Sequence, residues 1–304
     1  MRSDLTNLLI NEMMEKNTKI WIFVAVILFL LNVFAWQEVF ALTGENYLKV
    51  YFLNVGQGDS AFIETPENHQ IVIDGGPDSK SLAEVSSLMP FWDKTIDLVI
   101  LSHPEKDHMQ GLLEILKKYK ANYILESGIE KDSAEYEEWQ KTLEWQKSLG
   151  AKVLAVNFGD VVRLGNTKIE IVLPFENLAG KKADESSNDD CVVAKLNFGN
   201  ESFLFTGDIS TDIEKEIISA ENLKSDVLKV SHHGSKYSTS EEFLQNVNPK
   251  FAVIEVGKNS YGHPTPEVLQ RLEKFGIQIL RTDTDGNIEF VSDGNNLKLI
   301  KNIN

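Results

Sequence analysis

The segment Leu101–Gly111 carries His103, Glu105, Asp107 and His108 within six residues, directly after the apolar run Asp97–Leu101. Imidazole and carboxylate hold a catalytic divalent ion while leaving a coordination position open for water, and alternate spacing lets several reach inward from one loop. The competing reading is a solvated polar turn capping the helix expected from Met109. The other histidines weigh against it. Of six in the chain, five fall in three short segments at expected strand ends: His103 with His108, His232 with His233, and His263. His232 and His233 follow the short apolar run from Val227 and precede Gly234, so their rings are expected to project from the carboxyl end of a strand. Asp208 follows Phe203-Leu-Phe-Thr-Gly in the same way. There a carboxylate can bridge two ions or, more plainly, cap the next helix.

The elements that must position these residues alternate along the chain. Lys49–Asn54, Ser60–Thr65 and Gln70–Asp74 read as a strand meander broken at Gly56-Gln-Gly58 and Pro66-Glu-Asn68. Ser79–Met89, Met109–Tyr119 and Ser133–Leu149 read as helices, the second with an apolar stripe of Leu112, Leu113, Ile115 and Leu116. Strands return at Lys152–Val156 and Lys168–Leu173. Further strands are expected near Cys191, Phe203, Val227 and Phe251, helices near Thr211, Ser240 and Pro266, and a last strand pair over Asn287–Ile300. The polar loop Glu176–Asp190 is expected to be a mobile lip. The pattern predicts an α/β (α+β) chain folded as an αββα sandwich, two mixed sheets face to face with helices outside.

The order His-x-Glu-x-Asp-His at 103–108, Asn188-Asp-Asp190, Thr206-Gly-Asp208 and His232-His-Gly-Ser235 resembles the metallo-β-lactamase fold. More closely, it resembles the branch formed by the hydrolase domain of the competence protein ComEC and its free-standing relatives. Phe52–Ala61, Ile71-Val-Ile-Asp-Gly-Gly76, Tyr261-Gly-His-Pro264 and Arg281-Thr-Asp283 match that branch, and the resemblance covers about Tyr47 to Lys298. Two departures stand out. Glu105 occupies the second position of the superfamily's His-x-His-x-Asp-His pattern, where the branch carries aspartate, and Asn188, Asp189 or Asp190 replaces the third-motif histidine.

The resemblance and ligand chemistry together imply two divalent metal ions per chain, Zn or Mn, the carboxylates shifting preference away from strictly zinc. His103, Glu105 and a carboxylate of the Asp189-Asp190 pair, entered as Asp190, are expected to hold one ion. Asp107, His108 and His232 hold the other, with Asp208 bridging. His232 is preferred because it comes first off the strand, and His233 is the alternative. Two cations about 3.5–4 Å apart acidify a shared water and clamp the attacking and leaving oxygens of a phosphoryl centre. Asp59 and Asp74 are candidates to orient the ligand histidines. Ser235, Asn259, Tyr261 and His263 could face the substrate, with His263 the best candidate to protonate a leaving group alongside Asp107 in catalysis.

The amino end carries Ile20–Trp36, uncharged and almost wholly apolar, extending to Leu42 past Gln37 and Glu38. About twenty residues span a bilayer, and Trp21 and Trp36 sit where interfacial aromatics belong. Arg2, Lys16 and Lys19 precede the run and Lys49 is the first basic residue after it, which predicts a cytoplasmic tail (1–19), a transmembrane anchor or signal segment (20–42) and an extracytoplasmic hydrolase domain (47–300). Secretion after cleavage near Val39-Phe-Ala41, or a buried core helix, are the alternatives. With 30 basic and 46 acidic residues, net −16, tight non-specific duplex binding is not expected. The lone Cys191 forms no intramolecular disulfide. The function expected is therefore a binuclear phosphodiesterase or nuclease, acting on single-stranded DNA or a small diester. A β-lactamase-type esterase or amidase, and a non-catalytic surface-anchored binding protein, are the other classes. A single hydrophobic segment cannot form a many-spanning channel, so a role in DNA uptake would require a separate channel partner.

Overall fold

The computed structural model describes residues 2–42, 47–183 and 187–300, with side chains of the first stretch described over 14–36. The chain divides into two compact units, Met1–Asn46 and Tyr47–Asn304. The first is one helix, α1 (Arg2–Leu42), in which Met14–Trp36 is long and apolar enough to cross a membrane. The helix continues through the residues expected as a tail because no glycine or proline interrupts them. The side chains of the candidate cleavage segment 39–41 lie outside the described residues, as do residues 184–186 of the expected lip.

In the second unit β1 (Leu48–Phe52), β2 (Ala61–Glu64) and β3 (Gln70–Ile73) form the expected meander. β4 (Thr95–Ile100), β5 (Lys120–Glu126) and β6 (Lys152–Ala155) extend it in parallel, and β14 (Ile288–Ser292) with β15 (Leu297–Ile300) completes the other side. The sheet order is β15-β14-β1-β2-β3-β4-β5-β6. The second sheet comprises β7 (Val161–Leu164), β8 (Thr167–Leu173), β9 (Val193–Phe198), β10 (Glu201–Phe205), β11 (Val227–Lys229), β12 (Phe251–Ile254) and β13 (Gln278–Arg281), in the order β13-β12-β11-β10-β9-β8-β7.

Side-chain alternation explains the layering. In β4, Leu98 and Ile100 pack between the sheets with Phe52, Ile171 and Phe205, whereas Val99 faces the helix layer. That layer holds α2 (Lys80–Leu88), α3 (Lys106–Lys118) and α4 (Ala134–Ser148), whose Val85, Leu112, Leu116 and Trp139 share one apolar cluster with the strands. The second sheet is covered by α5 (Thr211–Ala220), α6 (Glu241–Val247) and α7 (Pro266–Lys274) through Ile217, Phe243, Leu244, Val268 and Leu272. Each such side chain contributes about 1.5–3 kcal/mol by leaving water, so three apolar layers sustain the αββα sandwich. Trp139 also donates its indole N–H to Glu126 Oε2 at 2.8 Å, which satisfies its polar atom in the core.

One element differs from expectation where it matters. α3 begins at Lys106, so Asp107 and His108 lie in its first turn and not in a loop. Alternation therefore no longer applies, and residues 105 and 107 point in different directions. The start of α3 is held close to the β3 turn: the Gly75 N–H donates to the His108 carbonyl at 2.6 Å and the Gly111 N–H to the Gly76 carbonyl at 3.0 Å. A Cβ on Gly75 or Gly111 would collide with the other segment's backbone, so only glycine permits this approach.

Candidate metal centre

Every converging side chain comes from the carboxyl end of a strand or from the turn joining β1 to β2. From the first sheet, Asp74 follows β3, His103 follows β4, and Asp107 and His108 begin α3. From the second, Asp208 follows β10 and His232-His233 follow β11. Loops at strand carboxyl ends can vary without disturbing the sheet, which is why sites of α/β proteins gather there. Asp74, His232 and His233 all adopt left-handed backbone, with φ of 58°, 51° and 52°. This conformation costs roughly 1–2 kcal/mol for a non-glycine residue, and the surrounding packing holds three at one site.

Hydrogen bonds fix the ring orientations. His108 Nδ1 donates to Asp74 Oδ2 at 2.8 Å. Asp74 is itself fixed by the Ser102 N–H at 2.7 Å and hydroxyl at 2.6 Å. The same hydroxyl meets His103 Nδ1 at 2.9 Å, and His233 Nδ1 lies 2.8 Å from the Glu255 carbonyl. With each Nδ1 so engaged, the three Nε2 atoms turn toward one another around Asp107 and Asp208. His233 Nε2 is 3.2 Å from Asp107 Oδ2 and 3.6 Å from Asp208 Oδ2, and His108 Nε2 is 3.5 Å from Asp208 Oδ2. The Nε2 atoms of His103 and His108 are buried without a hydrogen-bond partner among the described residues. Buried polar atoms normally find partners, so Nε2 atoms left unmatched here fit ligands of a cation, whose binding would displace the ring proton. His103, His108 and Asp208, and likewise Asp107, His108 and His233, bring ligand atoms within 4.8 Å of one another.

The electrostatics follow from this convergence. Burial pulls His108 and His233 down, but Asp208 and Asp59 outweigh it, leaving His108 well above the usual imidazole range and His233 pushed up to about 10. Burial would raise Asp208, yet His233, His108 and Lys229 hold it well below the carboxylate range. His103 is driven the other way, well down, by burial and by the neighbouring His108.

The sequence-predicted residues divide into those brought together and those that are not. His103, Asp107, His108 and Asp208 converge, with Asp59 and Asp74 beneath them. Of the histidine pair, His233 is the one that meets Asp107. His232 Nε2 stands further out, 3.9 Å from Asp208 and 3.5 Å from Asn188 Nδ2. Glu105 lines the cavity above the cluster but joins no clustered ligand group: its carboxylate pairs with Lys131 and accepts the Ser187 hydroxyl at 2.9 Å. Asp189 accepts the Ser210 N–H at 2.8 Å, and neither it nor Asp190 belongs to a clustered ligand group. Asn259 is occupied with its own loop, donating to the carbonyls of Gly257 and His263 and accepting from the N–H groups of Tyr261 and His263. Ser235 is buried, and its hydroxyl faces the Tyr237 N–H at 3.4 Å. His263 and the exposed Tyr261 line the same cavity, of about 280 Å³, together with Gln57, Asp107, Lys131, Asp208 and His232.

Two buried charged groups belong to the site beyond the sequence-predicted residues. Lys229 is 2 % exposed, and its ammonium pairs with Asp59, donates to the Gly207 carbonyl at 2.9 Å and lies 3.5 Å from Asp208 Oδ1. Glu255, also buried, accepts the Ser60 N–H at 2.8 Å and is pushed up to about 8 by burial and by Asp59. Lys229 had a signal, as a lone charge inside an apolar strand, where a charge must be paired to be buried.

Residues 53–257 match the family profile of the Metallo-beta-lactamase superfamily. The chain belongs to that superfamily. Among curated relatives of this metallo-β-lactamase-superfamily chain, ComE operon protein 3 of Bacillus subtilis is 34 % identical over 263 residues, 80 % of this chain and 33 % of the relative. Competence protein ComA of Neisseria gonorrhoeae is 29 % identical over 249 residues, 81 % of this chain and 32 % of the relative. The chain thus spans about a third of the length of these relatives. Among solved structures, the metallo-beta-lactamase fold protein YhfI from Bacillus subtilis aligns with a TM-score of 0.55 at 14 % identity, covering 81 % of this chain and all of that one. The expected fold and family are borne out. Superfamily membership supports a metal-dependent hydrolase, and the His/Asp clusters fit the divalent ions, often two, that this fold binds.

Proposed function

We propose that the chain is a binuclear metal-dependent phosphodiester hydrolase, anchored by α1 and acting outside the cytoplasmic membrane. The observation that carries this reading is the convergence of three Nε2 atoms and two carboxylates, drawn from both sheets, on the floor of an open cavity. His103, His108 and Asp208 would hold one ion, and Asp107, His233 and the shared Asp208 the other. When bound, two divalent ions acidify a water and neutralise charge on a phosphoryl centre.

The chain's own residues supply the rest. Asp74 and the Glu255 carbonyl orient His108 and His233. Burial holds His232 and His263 below the usual imidazole range, so near neutral pH both present uncharged rings along the cavity wall. Neutral imidazoles can hydrogen-bond a substrate oxygen or pass a proton to the leaving group, and His263 is the nearer to solvent of the site histidines by its place beside exposed Tyr261. Lys131 lines the rim with its charge paired to Glu105. Relatives named for competence favour a nucleic-acid diester, and the net charge of −16 favours short or single-stranded over long duplex substrate.

The test is metal content and Mn²⁺- or Zn²⁺-dependent hydrolysis of bis-p-nitrophenyl phosphate and single-stranded DNA by the detergent-solubilised chain, with Asp107→Ala beside it and a β-lactam as competing substrate. Two ions per chain, diester turnover and its loss in Asp107→Ala are expected. Turnover of the β-lactam alone, or of nothing in a metal-loaded protein, would reject the phosphodiesterase reading.

A further inference from the structure

The edge of the eight-stranded sheet opposite the metal centre carries a patch that the hydrolase chemistry leaves unused. Strand register places the starts of β1, β3, β4, β5 and β6 along it. Lys49 pairs with Glu64, Glu64 with Gln70, Ile71 with Leu98, Thr95 with Lys120, and Tyr123 with Lys152. The metal-centre residues Asp74 and His103 follow the other ends of β3 and β4.

In the turn that enters β4, Phe91 and Trp92 are 74 % and 56 % exposed and meet edge to face with ring centroids 4.7 Å apart. Lys94 Nζ donates to the Phe91 carbonyl at 2.9 Å, and the Lys94 carbonyl accepts the Lys120 N–H at 2.9 Å, so the turn is tied to the start of β5. Lys118 and Lys94 stand 5.2 and 5.9 Å from the Tyr119 ring centre, and Lys152 stands 5.1 Å from that of Tyr123. Lys94, Lys118 and Lys152 are exposed. Of the acids at this end of the sheet, Glu64 pairs with Lys49 at 2.8 Å, Asp97 accepts the Gln70 N–H and the Asn122 amide, and Asp93 accepts the Thr95 N–H, while the exposed Glu67 and Asp293 lie in the turns after β2 and β14, on the side of the sheet away from β5 and β6. An edge that presents aromatics and lysines stands out in a chain with 46 acidic residues.

Tryptophan and phenylalanine gain by leaving water for the bilayer interface, where lysines meet anionic headgroups. Connectivity points to the same occupant. Four residues separate Leu42, the last residue of the apolar helix, from Tyr47, and β1 starts on this edge.

We propose that Phe91 and Trp92, with Lys94, Lys118, Lys120 and Lys152 on the same end of the sheet, form a second membrane contact seated in the interface of an anionic bilayer, so that the metal centre opens away from the lipid. The inference rests on the membrane-anchor part of the proposed function and is independent of its chemistry.

The full chain carrying Phe91→Cys labelled with bimane, Cys191 being buried, is reconstituted into vesicles of phosphatidylglycerol and phosphatidylethanolamine and, in parallel, of phosphatidylcholine. Alkaline carbonate extraction is read first, because a chain released from the vesicles overturns the anchor itself whatever the patch does. In a chain that resists extraction, the expected result is blue-shifted emission and quenching by lipids brominated in the upper acyl chain, stronger in the anionic vesicles. Lys94→Gln should lower the ratio of seated to unseated domain about fivefold, the effect of one lysine at an anionic surface. Emission equally quenched by aqueous iodide in vesicles and in detergent would overturn the proposal. Shielding that grows with protein concentration in detergent would also overturn it, by assigning the patch to a second copy of the chain.

Discussion

Replacing Lys229 with methionine keeps the unbranched apolar stem and removes a buried ammonium from beneath the metal centre. Unit charges 3.5 Å apart, the Lys229–Asp208 separation, attract by roughly 5 kcal/mol at an effective dielectric near 20. Asp59 adds a second partner in direct contact. Desolvation offsets part of both, and removing one member of a buried pair costs about 3–5 kcal/mol, because the survivor remains buried without its counter-charge. Lys229→Met should therefore lose about 3–5 kcal/mol in urea unfolding of chelator-treated protein followed by near-ultraviolet circular dichroism. Asp208 retains His108 and His233 as counter-ions, so most of the loss should be traceable to Asp59. Adding Asp59→Asn should then recover about 2 kcal/mol or more, since neither charge is left alone. A Lys229→Met loss under about 1 kcal/mol, or two mutations whose costs simply add, would refute the reasoning.

Asp74→Asn keeps the shape but weakens the acceptor that orients His108, so metal affinity should fall about 10–100-fold in competition with a chromophoric chelator, and an unchanged affinity would place the control of His108 elsewhere. His233→Ala should lower bound metal per chain by elemental analysis, whereas His232→Ala and Glu105→Gln should keep it, because neither of those side chains enters the clustered groups; the reverse pattern would restore the assignment expected from the sequence. In metal-free protein the folded pKa of His233, about 10, lies above its ordinary 6.5. Its protonated ring therefore stabilises the fold fully below pH 6.5, and that contribution is lost as pH rises toward 10. Asp107 is shifted the opposite way, lowered from 3.8 against burial chiefly by the hydrogen bond from His233, and its contribution is lost only in strong acid. Chelated protein should thus unfold at lower urea at alkaline pH than near pH 6, and a flat profile across that window would contradict the His233–Asp107–Asp208 geometry.

The fold was legible because the strands declare themselves by alternation. Leu98 and Ile100 against Val99 is the clearest instance, and the stripe from Leu112 to Leu116 announces α3 as plainly. β7 and β13, each of four residues, escaped because so short a run shows no alternation that separates a strand from its flanking loops. Within the candidate site, position along the chain was readable and direction was not. Sequence spacing predicts Glu105 and Asp107 as ligands on one side of a loop, but with the helix starting at Lys106 only Asp107 joins the clustered ligand atoms, while Glu105 pairs with Lys131. Likewise, first-off-the-strand logic favoured His232, while the left-handed turn at both histidines rotates His233 inward. Lys229 sits within an apolar run, so only its charge, which demands a partner when buried, marks it in the sequence.

The origin of the converging side chains in both sheets has a topological consequence. A cation shared by His103 or His108 and Asp208 or His233 would join chain positions on the order of 100 residues apart, making it a removable cross-link between the two halves of the sandwich. A covalent link closing a loop of that length lowers the entropy of the unfolded chain by an amount equivalent to about 4–5 kcal/mol. The ions would then be structural staples as well as reagents. Free metal in the surroundings would set how tightly the halves are held, and starvation for metal would be felt first as loosening of the sandwich along the seam between β4 and β10.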